Sequence, residues 1–212
     1  MTSPGTNPGR FFTFEGPDGS GKSTQLALLA ARLRAEGREV VETAEPGGTS
    51  IGRDIRAILL NATNLHLRPT AELLLYFASR AQNVEEVIRP ALERGAIVLS
   101  DRFTDSTLVY QGIGRGLGAN VVRQLHTIAC GTLQPDLTVL VDIPPELTLQ
   151  RTTQRAAQDR LDAESLDFHR RVRQGYLQLA TEEPHRIRLV SGAPSIDTVA
   201  AELWPIIEEA LR

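Results

Sequence analysis

The chain has 212 residues, 41% hydrophobic and 23% charged, with a formal net charge of −3; that length suits one packed domain and leaves little room for a second. The near-neutral charge gives neither a polyanion nor a membrane surface a reason to bind, so no nucleic-acid or membrane partner is expected. A single cysteine, Cys130, excludes an intrachain disulfide, and His66, His126, His169 and His185 are scattered without ligand spacing, which suits a reducing cytoplasm and no zinc site.

Residues 1–9 are a Pro-, Gly-, Ser- and Thr-rich tail, expected to be disordered, with no apolar signal segment, and no run of 18 apolar residues follows anywhere. Phe11-Phe12-Thr13-Phe14 predicts a short strand ended by Gly16, and leucines and alanines at helical spacing predict a helix from Ser23 to Glu36, stopped at Gly37. Val40 to Thr43 reads as a second strand, Glu45-Pro46-Gly47-Gly48-Thr49 as a loop, and Ile51, Ile55, Ile58 and Leu59 as the stripe of a helix. Thr70 to Arg94 predicts one long helix, kinked or broken at Pro90, before the buried run Ala96 to Leu99 that ends at Asp101. A similar run, Leu137 to Val141, ends at Asp142. A helix from Pro145, a charged stretch from Arg151 to Arg160, a helix to about Glu183, a strand from Ile187 to Val190 and a terminal helix complete the pattern. Five short strands alternating with helices predict an α/β fold with a parallel sheet covered on both faces, whose ligands bind beyond the C-terminal strand ends.

Gly16-Pro17-Asp18-Gly19-Ser20-Gly21-Lys22-Ser23 fits G-x-x-x-x-G-K-[ST] between a predicted strand and helix, the context this phosphate loop requires. Its glycines let backbone N–H groups and the helix N-terminus face phosphate oxygens, Lys22 reaches the β and γ phosphates, and Ser23 serves Mg²⁺, with Thr24 next in line. Lys22 is also the only lysine among 23 basic residues. A compact ammonium and a guanidinium fork are different tools, so a site needing a point charge resists exchange for arginine. That uniqueness excludes the Asn-Lys-x-Asp guanine reader of GTP switches and the extra P-loop lysine of partition ATPases, and no Leu-Ser-Gly-Gly transporter signature is present. A small kinase remains, with a regulatory P-loop ATPase as the different-class alternative. Asp101 and Asp142, each ending an apolar strand, compete for the carboxylate beside the metal; Arg102 beside Asp101 suits a second anionic ligand.

In this order and spacing, Phe14 to Thr24, Glu45 to Thr49, Arg80-Ala81-Gln82, Asp101-Arg102-Phe103, Ser106 to Gly112, Pro135 to Thr138 and Asp159-Arg160 make the chain resemble the bacterial thymidylate kinases, P-loop proteins of the nucleoside-monophosphate kinase family. The resemblance runs from Phe11 almost to the end and implies a single kinase domain over 10–212, with a lid at about 151–162, that phosphorylates dTMP from ATP with Mg²⁺ and forms a homodimer through helices including Ala71 to Phe77. It implies that Asp18 faces the acceptor sugar and organises Arg102, which with Arg56 holds the acceptor phosphate. It further implies that Arg80 reads a thymine carbonyl one turn from Tyr76, on which the base stacks, with Phe77 in the core. By the same resemblance Ser106, Thr107, Tyr110 and Gln111 are expected to line the base and sugar pocket, Tyr110 by its bulk rejecting ribose. Gly19 after Asp18 matches members whose catalytic arginines lie in the lid; Arg155 and Arg160 are expected to contact phosphate ahead of Arg151. Ala44 stands where many members have arginine, which leaves more of the acceptor phosphate to Arg56 and Arg102. Another nucleoside or nucleotide kinase on the same fold is the alternative enzyme.

Overall fold

The computed structural model describes residues 9–153, 160–161 and 163–212. Five strands, β1 (Arg10–Glu15), β2 (Val40–Ala44), β3 (Ile97–Asp101), β4 (Leu137–Asp142) and β5 (Ile187–Ser191), form one sheet in the order β2-β3-β1-β4-β5. Every pairing is parallel. The fold is the α/β arrangement expected, with the helices Lys22–Ala35, Arg89–Glu93, Leu166–Glu182 and Ile196–Ala210 packed against the strands.

Period-two alternation divides the strand side chains between the two faces of the sheet. Phe12, Phe14, Leu99, Val139 and Val141 face α1 (Lys22–Ala35) and the C-terminal helix (Ile196–Ala210), packing on Leu26, Leu29, Leu33, Leu203 and Ile207. Phe11 and Val98 turn the other way, into a cluster with Val84, Ile88, Phe103 and Cys130, and Leu140 joins Leu73, Tyr110, Phe168 and Tyr176. Burying each large side chain contributes about 1.5–3 kcal/mol, so both faces hold the strand ends rigidly.

Helices α2 (Ser50–Leu60) and α3 (Pro69–Asn83) follow β2. The single helix expected to Arg94 is instead α3, a π-helical turn at Val84–Ile88, and α4 (Arg89–Glu93). The wider turn sits just before Pro90, whose missing N–H and ring would otherwise break the hydrogen-bond ladder. Between β3 and β4 lie elements with no sequence expectation: α5 (Thr104–Thr107), a π-helical stretch at Leu108–Gly114, and α6 (Ala119–Cys130). Helices α7 (Pro145–Thr153), α8 (Leu166–Glu182) and α9 (Ile196–Ala210) complete the chain.

Candidate active site

The loop Gly16 to Ser23 joins β1 to α1 at the carboxyl edge of the sheet. Gly16 has φ 129°, and a Cβ there would lie 2.2 Å from the Val141 carbonyl oxygen, so the loop passes the end of β4 only as glycine. Helices α2, α8 and α9 are capped by the side chains of Thr49, Ser165 and Ser195, whereas α1 starts at left-handed Gly21 with no side-chain cap. That start leaves amide donors and the positive end of the helix dipole for an anion.

The Pro17 carbonyl accepts from Ser20 N at 3.3 Å and from Lys22 Nζ at 2.8 Å, which curls the loop around the buried ammonium. Burial pushes the Lys22 pKa down to about 8, and Arg102 adds to this; Asp18, Asp101 and Glu15 oppose it. Ser23 Oγ donates to Asp101 Oδ2 at 2.5 Å. Asp142, the rival carboxylate, is engaged by Arg173 in a two-bond fork at 2.8 Å each. Asp101 is therefore the strand-ending carboxylate that meets the phosphate loop. Asp18, Gly19, Lys22, Ser23, Thr24, Asp101 and Arg102 line one cleft together with Arg53, Arg56 and Arg151. Ala44 lines it too, with Arg53 and Arg56 supplying cations nearby.

A second cavity adjoins this cleft and shares Asp18, Glu45, Pro46, Arg56 and Arg102 with it. Every residue expected at the acceptor lines it: Asp18, Arg56, Tyr76, Arg80, Arg102, Ser106, Thr107, Tyr110 and Gln111. Phe77 does not; it packs in the core, under the Arg80 guanidinium, which lies 4.7 Å from its ring centroid. Arg80 is fully buried. Its Nε donates to Glu45 Oε2 at 2.5 Å, and its Nη2 to Thr107 Oγ1 at 2.8 Å and the Phe103 carbonyl at 3.1 Å. Its Nη1 has no partner among the described residues, a donor left over in the wall of the cavity.

Arg102 has a left-handed backbone, φ 75°, a conformation that costs a non-glycine residue about 1 kcal/mol or more. Its guanidinium spans the junction of the two cavities, Nη2 donating to Asp18 Oδ1 at 2.9 Å and Nη1 to Ser106 Oγ at 2.9 Å and Tyr176 Oη at 3.2 Å. Arg56 reaches the same junction from α2, its Nη1 donating to the Pro46 carbonyl at 2.9 Å. The Tyr110 hydroxyl is buried without a partner among the described residues, and burial pushes its pKa well above the usual phenol value. Gln111 Nε2 donates to Glu72 Oε1 at 2.7 Å.

The arginines of the charged stretch are arranged differently from the order expected. Arg151 lies on the donor cleft, its Nη1 donating to the Gly19 carbonyl at 2.9 Å and the Gly192 carbonyl at 3.1 Å. Arg160 lines neither cavity; it bonds the Glu72 carboxylate, whose partner Gln111 lines the acceptor cavity, and, at 3.0 Å, the Leu59 carbonyl. A fully buried carboxylate needs cationic partners, and Arg160 and Arg115 both supply Glu72. Arg155 lies outside the described residues.

Four carboxylates or hydroxyls in or behind the cavity wall have no role assigned from the sequence, although the first two stand in stretches that carry the resemblance: Glu15, Glu45, Glu72 and Tyr176. Glu72, Tyr76 and Arg80 recur every four residues on α3 and share its buried face, a periodicity that was available in the sequence. Glu15, at the end of β1, accepts from Phe103 N at 2.7 Å and from the hydroxyls of Ser106 and Tyr176. Burial and Asp105 push its pKa up to about 7 against the pull of Arg102 and these donors.

Residues 14–203 match the thymidylate kinase family model. A thymidylate kinase of Deinococcus radiodurans is 51% identical over 201 residues, covering 95% of this chain and 97% of its own. One from Solidesulfovibrio magneticus is 49% identical over 208 residues, covering 95% of this chain and 100% of its own. The crystal structure of thymidylate kinase from Ehrlichia chaffeensis superposes with a TM-score of 0.77 at 33% identity, covering 95% of this chain and 99% of that one. With its phosphate loop, its parallel sheet and a family match over most of its length, the chain belongs to the thymidylate kinase family.

Proposed function

We propose that the chain transfers the γ-phosphoryl group of ATP to the 5′-phosphate of dTMP, giving ADP and dTDP in the supply of dTTP. The observation that carries this reading is the junction of the two cavities, where Arg102, bonded to Asp18, stands between the phosphate loop and the aromatic pocket. An anionic acceptor must be neutralised before it approaches the γ phosphate, and Arg102 and Arg56 do that while Lys22 and the loop amides hold the donor. The acceptor phosphate is already ionised, so no general base is required and no covalent enzyme intermediate forms.

Tyr76 offers a π face to the base, and the leftover Nη1 of Arg80 suits a base carbonyl. Tyr110 takes up the room a ribose 2′-hydroxyl would need. Ser23 and Asp101, two hard oxygen donors on the donor cleft, fit Mg²⁺ and would hold it directly or through its waters. When bound, that ion neutralises the phosphate oxygens. Among the lid arginines, Arg151 has support as a γ-phosphate contact from its place beside Gly19. Arg155 keeps its role from the family resemblance, and Arg160 is better suited to holding Glu72, the buried partner of the pocket residue Gln111.

Steady-state ADP release with a panel of monophosphates tests the assignment. dTMP should be used far better than dCMP, UMP or dAMP. Equal rates across the panel would sink the substrate, and ATP turnover indifferent to any monophosphate would make the chain a regulatory ATPase. We also place the reaction in the cytoplasm, in line with the lone buried Cys130. A homodimer is supported by Leu74 on α3 and Val121 and Ile128 on α6, apolar residues exposed on two helices that pack together. Sedimentation at micromolar concentration should give twice the monomer mass, and a monomer would refute it.

A further inference from the structure

Arg102 carries the acceptor phosphate in the reading above, and its own guanidinium is held by a group that no phosphate-loop or pocket motif contains. Tyr176 comes from α8, 74 residues away in sequence, and is buried. Its hydroxyl lies 3.0 Å from Glu15 Oε2, 2.8 Å from Ser106 Oγ and 3.2 Å from Arg102 Nη1. Ser106 Oγ repeats the pattern, bonded to the same Glu15 oxygen and accepting from the same Arg102 nitrogen at 2.9 Å.

A hydroxyl has one proton to give and lone pairs to accept with. Arg102 is donor only, so the two oxygens can face it only as acceptors. The hydroxyl protons must then point elsewhere, and the buried Glu15 carboxylate is the acceptor that takes them. Glu15 is itself pinned by Phe103 N at 2.7 Å. The result is a shelf of two oriented oxygens under Nη1, with Asp18 holding Nη2 from the loop side. A guanidinium fixed at both ends presents its remaining donor edge in one direction.

We infer that Tyr176 is a positioning residue for phosphoryl-acceptor binding: with Ser106 and Glu15 it orients the Arg102 guanidinium toward the 5′-phosphate of the nucleotide. This rests on Arg102 being the acceptor-phosphate ligand. Tyr176→Phe isolates the effect, because phenylalanine keeps the ring that meets the Tyr110 ring edge-on at 6.3 Å and loses only the oxygen. Since the lost oxygen acts through a phosphate contact, the loss must depend on the ligand carrying a phosphate.

The test is calorimetric binding of dTMP and of thymidine to the full chain, with melting temperatures to verify folding. Tyr176→Phe should weaken dTMP by about tenfold, the scale of one hydrogen bond to a charged group, and leave thymidine unchanged. In turnover the loss should appear in KM for dTMP with KM for ATP unmoved. In an Arg102→Ala background Tyr176→Phe should cost nothing further. Glu15→Gln, which forces the hydroxyl protons toward Arg102, should show the same phosphate-dependent loss and keeps the inference testable if Tyr176→Phe does not fold. Equal weakening of dTMP and thymidine, or a Tyr176→Phe effect that adds undiminished to Arg102→Ala, would overturn it. Should Arg102→Ala bind dTMP like the parent, the phosphate assignment itself fails, a result distinct from the others.

Discussion

The donor cleft and the acceptor cavity meet at Arg102 and are built in opposite ways. The phosphate loop at the heart of the donor cleft is local: Lys22 is held by Pro17, five residues back, and the anion site is backbone curled by glycine at the start of α1, with Asp101 and Arg151 added from 78 and 132 residues away. The acceptor cavity is assembled across the chain. Arg80 is held by Glu45 and Thr107, 35 and 27 residues distant, and Arg102 by Asp18 and Tyr176, 84 and 74 residues distant. A local site keeps its function and its stability separable. A site made of buried ion pairs does not, because the groups that read the ligand also hold elements together.

The sharpest way to break that contrast is Lys22→Ala. Lys22 contacts the migrating phosphoryl group, so kcat should fall by about 10²–10³-fold. The fold should not suffer, because a desolvated ammonium is removed along with its bond to the loop. Steady-state kinetics beside thermal melts check both halves. Near-normal turnover would overturn the loop assignment, and a collapsed melting temperature would show that the donor site is as structural as the acceptor site.

Glu45→Ala asks the converse. It strips a buried guanidinium of its carboxylate, and breaking such a pair costs about 3–5 kcal/mol, to be read by urea denaturation. Affinity for dTMP should fall with it, since Arg80 loses the bond that aims it. Stability within error of the parent would mean that recognition and packing are separate in the acceptor cavity after all.

How much of each region was legible in the sequence follows the same division. The phosphate loop, the strands ending at Glu15, Asp101 and Asp142 and the helix after Gly21 are short-range patterns, and all stand close to where periodicity and the glycine spacing put them. The acceptor residues were legible only through family resemblance, because nothing in the spacing of Arg80, Arg102 and Tyr110 by itself brings them together. The secondary structure of residues 104–130 stayed unread, although its pocket residues were named by resemblance: a π-helical stretch with Gly112 and Gly114 destroys helical period, and the buried stripe of α6, Val122, His126 and Cys130, is short and interrupted by a histidine. Glu15, Glu45 and Glu72 were missed for an energetic reason. Carboxylates are read as surface, and only partners distant in sequence make their burial tolerable.

Glu15 gives a prediction of intermediate size that depends on pH. Its pKa stands at about 7 in the fold against 4.5 ordinarily, raised chiefly by burial. A raised pKa means the folded state holds the proton more tightly. The stability it contributes is therefore fully present below pH 4.5 and is lost as pH rises through about 7. Stability curves of the parent and Glu15→Gln should diverge across that window, with the parent losing ground as pH rises. Parallel curves would show that the hydrogen bonds from Phe103, Ser106 and Tyr176 keep Glu15 ionised without cost.

The smallest effect concerns discrimination at the sugar. Tyr110 is buried, and its hydroxyl has no hydrogen-bond partner among the described residues, so what it brings to the cavity is the volume of its ring and a hydroxyl beside Arg102. If that volume excludes a ribose 2′-hydroxyl, Tyr110→Ala should improve the ratio of ribothymidine monophosphate to dTMP in kcat/KM by about tenfold, or ~1.4 kcal/mol. Both substrates should lose kcat/KM, because truncation leaves a cavity beside Phe168 and Tyr176, and the ribonucleotide should lose less because only it gains room for its 2′-hydroxyl. Tyr110 also faces Arg102, whose guanidinium carbon is 5.2 Å from its ring centroid. A fall in both substrates with no change in their ratio would therefore assign Tyr110 to the support of Arg102 and leave sugar selection to another wall of the pocket.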